Sequence, residues 1–291
     1  SNLRLLYSSL EESCYSGMFN GCTSLTSAPV LPDVNLESGC YFRMFQNCTS
    51  LTSTPVLPDT TIKPYCYNSM FQGCTSLTTA PVLPAVNLES GCYYSMFQGC
   101  TSLTTAPALP ASTLEQSCYY SMFQGCTSLT TAPALPASTL KPYCYNSMFK
   151  DCKALTTAPV LPAVDIFDGC YSSMFSGCTS LTSVTIYAKN ASYYSHGSWL
   201  YNVAPSGTVY NNGFLDLTKN NASGVPSGWL EVVPEIQSVT VNPDTFTIEF
   251  NSETVTCNST LEVVTTVGTF TKNNSVTLTV GENTGNTTRT L

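Results

Sequence analysis

Charge is scarce in this chain. Only 10% of its 291 residues are charged, and eighteen acidic side chains outnumber ten basic ones for a formal net charge of −8. Nucleic-acid binders neutralise phosphates with basic patches, so nucleic acid is excluded as a general partner. Histidine occurs once, as His196 in Tyr193-Tyr194-Ser195-His196-Gly197-Ser198. No nucleophile elbow accompanies it, and it reads as a solvated or packing residue of a loop. Phosphate-loop and dinucleotide fingerprints are missing. Asp165 and Asp168 lie close together but lack the oxygen-ligand spacing of a calcium loop, and read as solvated surface. No apolar run is long enough to cross a bilayer, so this segment is expected to have no direct membrane insertion. No signal peptide is visible, and both ends read as cut through repeating or strand-like sequence. The chain is therefore expected to be a fragment of a longer protein. No catalytic residue, no cofactor and no metal site is expected, and the chain is read as not an enzyme.

What is present is a period. Cysteines fall at 14, 40, 66, 92, 118, 144 and 170, and again at 22, 48, 74, 100, 126, 152 and 178, both series stepping by 26 without insertion. A fixed period of this size is the signature of a solenoid, whose coils stack because none can bury its own apolar side chains. Seven coils at ~4.8 Å predict a rod roughly 30–35 Å long.

Within each coil, Cys92, Met96 and Cys100 stand four apart, which predicts a short helix. Its stop is expected at Gly21, Asn47, Gly73, Gly99, Gly125, Asp151 and Gly177. Those residue types tolerate the left-handed backbone that commonly caps a helix. An extended segment follows, in which Leu103-x-x-Ala106-x-Ala108 has the L-x-x-L-x-L spacing of a leucine-rich repeat strand. Pro107, with its equivalents in the first six coils, lacks the N–H a central strand donates. The sheet is therefore expected to be two or three residues deep before a polyproline-like Pro-x-Leu-Pro stretch. In the seventh coil Leu181–Tyr187 reads as an ordinary alternating strand. Cys14, Met18, Phe19, Cys22, Leu25, Ala28, Val30 and Leu36, with their equivalents, are the expected core.

The paired cysteines permit two readings. Seven disulfides would use them all. Buried free thiols, acting as small hydrophobes, would form a ladder instead, and this is the favoured reading. A helix from 14 to 20 would hold Cys14 and Cys22 too far apart for bonding. The C-x7-C spacing without histidine does not suit zinc.

The candidate binding residues are aromatic. Every coil carries Tyr after its first cysteine, at Tyr15, Tyr41, Tyr67, Tyr93, Tyr119, Tyr145 and Tyr171. Phe42, Tyr94, Tyr120, Tyr65 and Tyr143 add local density. Exposed tyrosines pair an apolar face with a hydroxyl and suit sugars or protein partners. Strict repetition also suits packing of each ring over the next coil, and favours that reading for the repeated row. The non-repeating positions 16–17, 42–43, 68–69 and 94–95 are then the expected specificity positions.

The phrase Met-Phe-x-x-Cys-x-x-Leu followed by Pro-x-Leu-Pro resembles the BspA-like leucine-rich repeats of bacterial surface proteins, particularly of gut Bacteroidetes, over about residues 1 to 190. The resemblance implies a right-handed α/β solenoid of parallel strands and short helices, with a role in adhesion or ligand binding and no catalytic residue. The chain departs from it at Cys14-Tyr15 and equivalents, where related repeats more often carry an aliphatic residue or Met. Residues 191–233 read as the solenoid's closing cap, with Trp229 and Tyr210 covering its last apolar face. From Pro234 to Leu291, short alternating strands such as Ser238–Val241, Thr245–Phe250 and Ser275–Val280 predict a small all-β immunoglobulin-like sandwich. Val280–Arg289 is similar to BACON and other bacterial Ig-like modules, without the tryptophan common in BACON domains.

The expected function is a non-catalytic binding or adhesion module at the extracellular or outer-membrane surface. Its partner would be a host or bacterial surface protein or glycan. The alternatives are a structural spacer in a surface appendage or phage tail, and an accessory carbohydrate-binding region of a larger enzyme.

Overall fold

In a computed structural model, the described residues are 5, 10–58, 62–84, 87–192, 194–212, 215–217, 224–233 and the strands that follow, with side chains described through residue 233. The chain divides into two compact units, Ser1–Glu231 and Val232–Leu291.

The first unit is a stack of coils, and the four-residue spacing of its apolar residues produces a conformation other than the expected helix. Among the described residues there is no helix. Positions 13, 17 and 21 of every coil have positive φ instead; in the second coil these are Gly39 (69°), Arg43 (53°) and Asn47 (58°). A left-handed residue at every fourth position breaks the run of i−4 bonds that an α-helix needs. Backbone donors then alternate between two kinds of acceptor. Ser16 N–H, Met18 N–H and Asn20 N–H donate to carbonyls three residues back. Gly17, Phe19 and Gly21 donate across to Phe42, Met44 and Gln46 of the next coil at 2.8–2.9 Å. Half of the segment's hydrogen bonding is thus made between coils, and no coil can hold this shape alone. The residues expected as helix stops do adopt the left-handed conformation, but as one of three such corners, or of four in the first three coils, where Tyr15, Tyr41 and Tyr67 have positive φ as well. Asn47 and Asp151 fit because glycine follows in the next coil: a Cβ on Gly73 or Gly177 would collide with their carboxamide and carboxylate oxygens.

The extended side of the coil is thinner than the spacing predicts. Single parallel bridges join Ser27 to Ser53, Thr79 to Thr105, Thr105 to Thr131 and Thr157 to Ser183. A second row joins Asn87, Thr113 and Thr139. The proline two residues after the first bridge ends each ladder after one residue. It also shifts the inward phase. Ala108 and the valines at 30, 56, 82 and 160 are exposed, whereas Leu31, Leu57, Leu83, Leu109, Leu135 and Leu161 are buried. The core expectation for Val30 and its equivalents is corrected accordingly: the inward residue is the leucine of Pro-x-Leu-Pro.

Where proline gives way, strands lengthen. β1 (Asp165–Ile166) pairs in parallel with β3 (Asn190–Ala191), and β2 (Ser183–Ile186) with β4 (Gly207–Asn211). β5 (Trp229–Val232) adds to the β2–β4 sheet. The segment after the seventh coil continues the stack rather than only covering it. Tyr171, Ser173, Phe175 and Gly177 donate to the carbonyls of Ser195, Gly197, Trp199 and Tyr201. The last three repeat what every earlier coil does to its successor, and the first what Tyr93 and Tyr119 do, whereas Tyr41 and Tyr67 donate back to Cys14 and Cys40. Trp199 is fully buried there and donates from Nε1 to the Gly224 carbonyl at 3.3 Å. Trp229 is buried and bonds the Ala204 carbonyl at 2.7 Å. Tyr210, expected beside it as a cover, is 43% exposed: β4 alternates, and Val209 and Asn211 take the inward places.

Within the coils, identical side chains form ladders. Phe19 to Phe175 stack with ring centroids 5.4–5.8 Å apart. Tyr15 to Tyr171 stack at 5.7–6.2 Å. The fourteen array cysteines are free thiols. From Cys40 onward each donates to a carbonyl of the preceding coil, as Cys48 does to Phe19 at 3.0 Å and Cys66 to Glu37 at 3.2 Å. Burial pushes the thiols of Cys48 and Cys66 up to about 11, and those of Cys74, Cys92 and Cys118 up to about 12. The thiolate is the reactive form, so these residues are inert at neutral pH. Native-state alkylation read by peptide mass is expected to label exposed Cys22, then half-buried Cys14, and to spare the array from Cys40 to Cys178 until denaturant is added. Loss of two hydrogens per Cys pair in the unreduced protein would contradict the free-thiol assignment.

Among its described residues, the second unit contains two antiparallel three-stranded sheets. One joins β6 (Ile236–Asn242), β7 (Thr245–Phe250) and β8 (Thr254–Asn258) in that order. The other has the order β11 (Gly285–Thr290), β10 (Thr277–Glu282), β9 (Glu262–Val263).

Candidate functional site

The four-residue rhythm that turns positions 14, 15, 18, 19 and 22 inward leaves 16 and 20 of most coils toward an outer face, while position 17 is exposed at Arg43 and buried at Ser69, Ser95 and Ser121. All three positions vary along the stack. Position 16 reads Ser16, Phe42, Asn68, Tyr94, Tyr120, Asn146 and Ser172. Tyr94 and Tyr120 are therefore adjacent coils' only aromatic neighbours on this row, and their rings lie 4.5 Å apart at 1°. That is closer than any pair in the interior ladders. Asn68 and Asn146 flank the pair, each accepting a 2.8 Å hydrogen bond from the serine that follows it, Ser69 and Ser147. Burial, then the neighbouring Tyr120 phenol, raises the Tyr94 pKa above its ordinary value. Tyr94 therefore stays neutral at physiological pH and presents its hydroxyl as donor or acceptor.

Position 20 supplies a polar rail beside it. Asn20 donates to Gln46 at 3.1 Å, Gln46 to Gln72, Gln72 to Gln98, and Gln98 to Gln124 at 2.9 Å. Side-chain amides in register at each coil bond as identical residues do in stacked sheets. In the sixth coil the position is Lys150. The rail and the tyrosine pair line an open cleft of about 340 Å³, whose walls include Gln72, Tyr94, Gln98, Tyr120 and Gln124 with Arg43 and Lys150. The Arg43 guanidinium stands 4.7 Å over the Phe42 ring.

The sequence-predicted residues separate into two groups. Tyr41, Tyr67, Tyr93, Tyr119 and Tyr145 are at most 1% exposed, stacked inside the array. They are corrected from candidate contact residues to core: the second inward place of each coil falls on this tyrosine. Phe42, Tyr94 and Tyr120 reach the surface, half-buried. Tyr65 and Tyr143 are exposed on one side, and each ring covers the glycine of the next coil, Gly91 and Gly169. The rail residues Gln72, Gln98 and Gln124, and Lys150, escaped the sequence reading. Their signal was an amide recurring at one surface position and then breaking to a cation.

His196 lies outside the cleft, buried on the coil that closes the array. Its Nδ1 is 2.9 Å from Ser195 Oγ, which donates to the Ser192 carbonyl at 2.8 Å. The imidazole must then donate to the hydroxyl, opposite to activation of a serine nucleophile. The Trp199 ring meets it edge-on. Burial lowers the His196 pKa below its ordinary 6.5. The unfolded chain therefore binds the proton first, and stability falls as pH drops through about 6.5. Thermal melts are expected to show a fall in Tm between about pH 7 and pH 5 that is smaller in His196→Phe. Equal falls in both would refute the assignment. Among the described residues no group of His, Cys, Asp and Glu could hold a metal ion, and no helix is long and apolar enough to cross a membrane.

Coils closed by parallel bridges at a fixed period, with a leucine of the L-x-x-L spacing inward, define a leucine-rich repeat solenoid. A family model for the BspA type leucine-rich repeat region matches residues 7–130 and 94–200, and the chain belongs to that family. No curated protein matches the chain. Among solved structures, the chain is similar to a leucine-rich repeat protein from Bacteroides ovatus, with 20% identity and a TM-score of 0.31. The match covers 75% of this chain and 63% of the Bacteroides protein.

Proposed function

We propose that the chain is a non-catalytic binding module displayed at a cell surface, which holds a protein or glycan ligand against the outer face of coils two to six. The observation that carries this reading is the Tyr94–Tyr120 pair. Two aromatic side chains stand half-exposed and coplanar where the flanking coils carry asparagine. An interior needs repetition to stack, but a solvent face does not, so departure from the repeat there is explained by a contact. An extracellular or outer-membrane location is supported by the family and by a surface rich in neutral hydroxyls and amides. The second unit, read as an immunoglobulin-like sandwich, serves as a spacer module.

The test is a combined glycan and surface-protein array probed with the wild type and with Tyr94→Asn/Tyr120→Asn. Asparagine is the residue of the neighbouring coils, so folding is retained. A ligand bound by the wild type and lost by at least about tenfold in the double variant is expected. No binding in either arm contradicts the reading and favours a structural spacer.

A further inference from the structure

The cleft is charged unlike the chain around it. Acidic residues outnumber basic ones by eighteen to ten overall, yet the cleft walls contain Arg43 and Lys150 and no carboxylate. Both cations stand where the repeat is broken. The Arg43 position is serine in the five later coils, and the Lys150 position is glutamine in the four preceding ones. They lie four coils apart, roughly 19 Å at the usual strand spacing. Between them the wall is neutral and polar, formed by the amide rail, serines and the tyrosine pair. The rail also has a direction. Each amide donates to the next, so the donor end is Gln124, one coil before Lys150.

We infer that the ligand of this cleft is an anionic glycan, a chain bearing carboxylate or sulfate groups. The inference rests on the binding reading above and narrows it. Sugar hydroxyls are matched by amides and tyrosine hydroxyls, and sugar C–H faces by the tyrosine rings. The guanidinium fork of Arg43 and the ammonium of Lys150 receive the acidic groups. A protein partner of ordinary size covers about 800 Å² on each side around an apolar centre. An open, polar cleft lined by successive coils suits a single extended chain instead.

Calorimetric titration of the whole chain tests this with oligogalacturonates and heparin-derived oligosaccharides. Each is paired with its carboxyl-reduced or desulfated counterpart, and a polyglutamate peptide completes the set. At least one charged series is expected to bind, its neutral counterpart about tenfold more weakly, with affinity falling as salt is added. Lys150→Gln is expected to lose about tenfold in affinity with an unchanged Tm, because glutamine there extends the rail. Equal binding of charged and neutral counterparts, unaffected by Lys150→Gln, overturns the inference and leaves the binding reading standing. Polyglutamate binding as tightly as the glycans overturns the glycan class. Binding of no glycan at all also overturns it, and the protein arm of the array then decides the broader reading.

Discussion

Phe97→Ala is expected to destabilise the solenoid by about 3–5 kcal/mol. Phe97 is fully buried at the middle of the array, stacked at 5.7 Å on Phe71 before it and Phe123 after it. Removing the ring leaves a cavity that neither neighbour can fill, because each is held in register by its own backbone bond, Phe71 to Met96 and Phe123 to Met148. The position matters as much as the ring. In a repeat array stability is a sum over coils and the interfaces between them. A defect in the fourth coil weakens two central interfaces. Phe19→Ala in the first coil, where the ring is only partly buried, is expected to cost clearly less. Urea unfolding of the two variants checks both statements. A Phe97→Ala loss below about 1 kcal/mol, or equal losses at the two sites, would mean that the ladder does not carry the stack.

Trp199→Ala is expected to have a comparable effect, about 3–5 kcal/mol, by a different route. Trp199 closes the array. Its carbonyl accepts from Phe175 at 2.9 Å, its indole N–H reaches Gly224, and its ring lies against His196. Truncation opens the last apolar face of the seventh coil and leaves Gly224 without its indole donor. The variant is expected to melt earlier and to expose Cys178 to alkylation while Cys48 stays protected. Uniform labelling of both cysteines would show instead that the array unfolds as one unit.

The stack was legible because its evidence is arithmetic: an uninterrupted period admits only coils in register. The left-handed residues at Gly21 and its equivalents were legible too, since few residue types accept that conformation. The helix was misread. Cys14, Met18 and Cys22 stand four apart in both an α-helix and a chain turned by a left-handed residue every fourth position. Only the backbone bonds between coils separate the two, and no sequence window contains them. Val30 failed for a related reason. The L-x-x-L-x-L spacing assumes unbroken alternation, and Pro29 resets the phase so that Leu31 turns inward. The tyrosine row shows the limit of composition: Tyr41 and Tyr94 are the same residue type, and only repetition told the core tyrosine from the surface one. The cleft was half legible. Positions 42–43 and 94–95 stood out as departures from the repeat, whereas the glutamine rail looked like ordinary surface until its members proved to bond one another.

The central claim is that shape resides in what the coils share and binding in what they do not. A single variant tests it, carrying Phe42→Ser, Arg43→Ser, Tyr94→Asn, Tyr120→Asn and Lys150→Gln. Every replacement is the residue found at the same position of another coil. Affinity for the glycan or protein identified on the array should be lost while Tm and the circular dichroism spectrum stay as in the wild type. Full affinity in this variant would contradict the account.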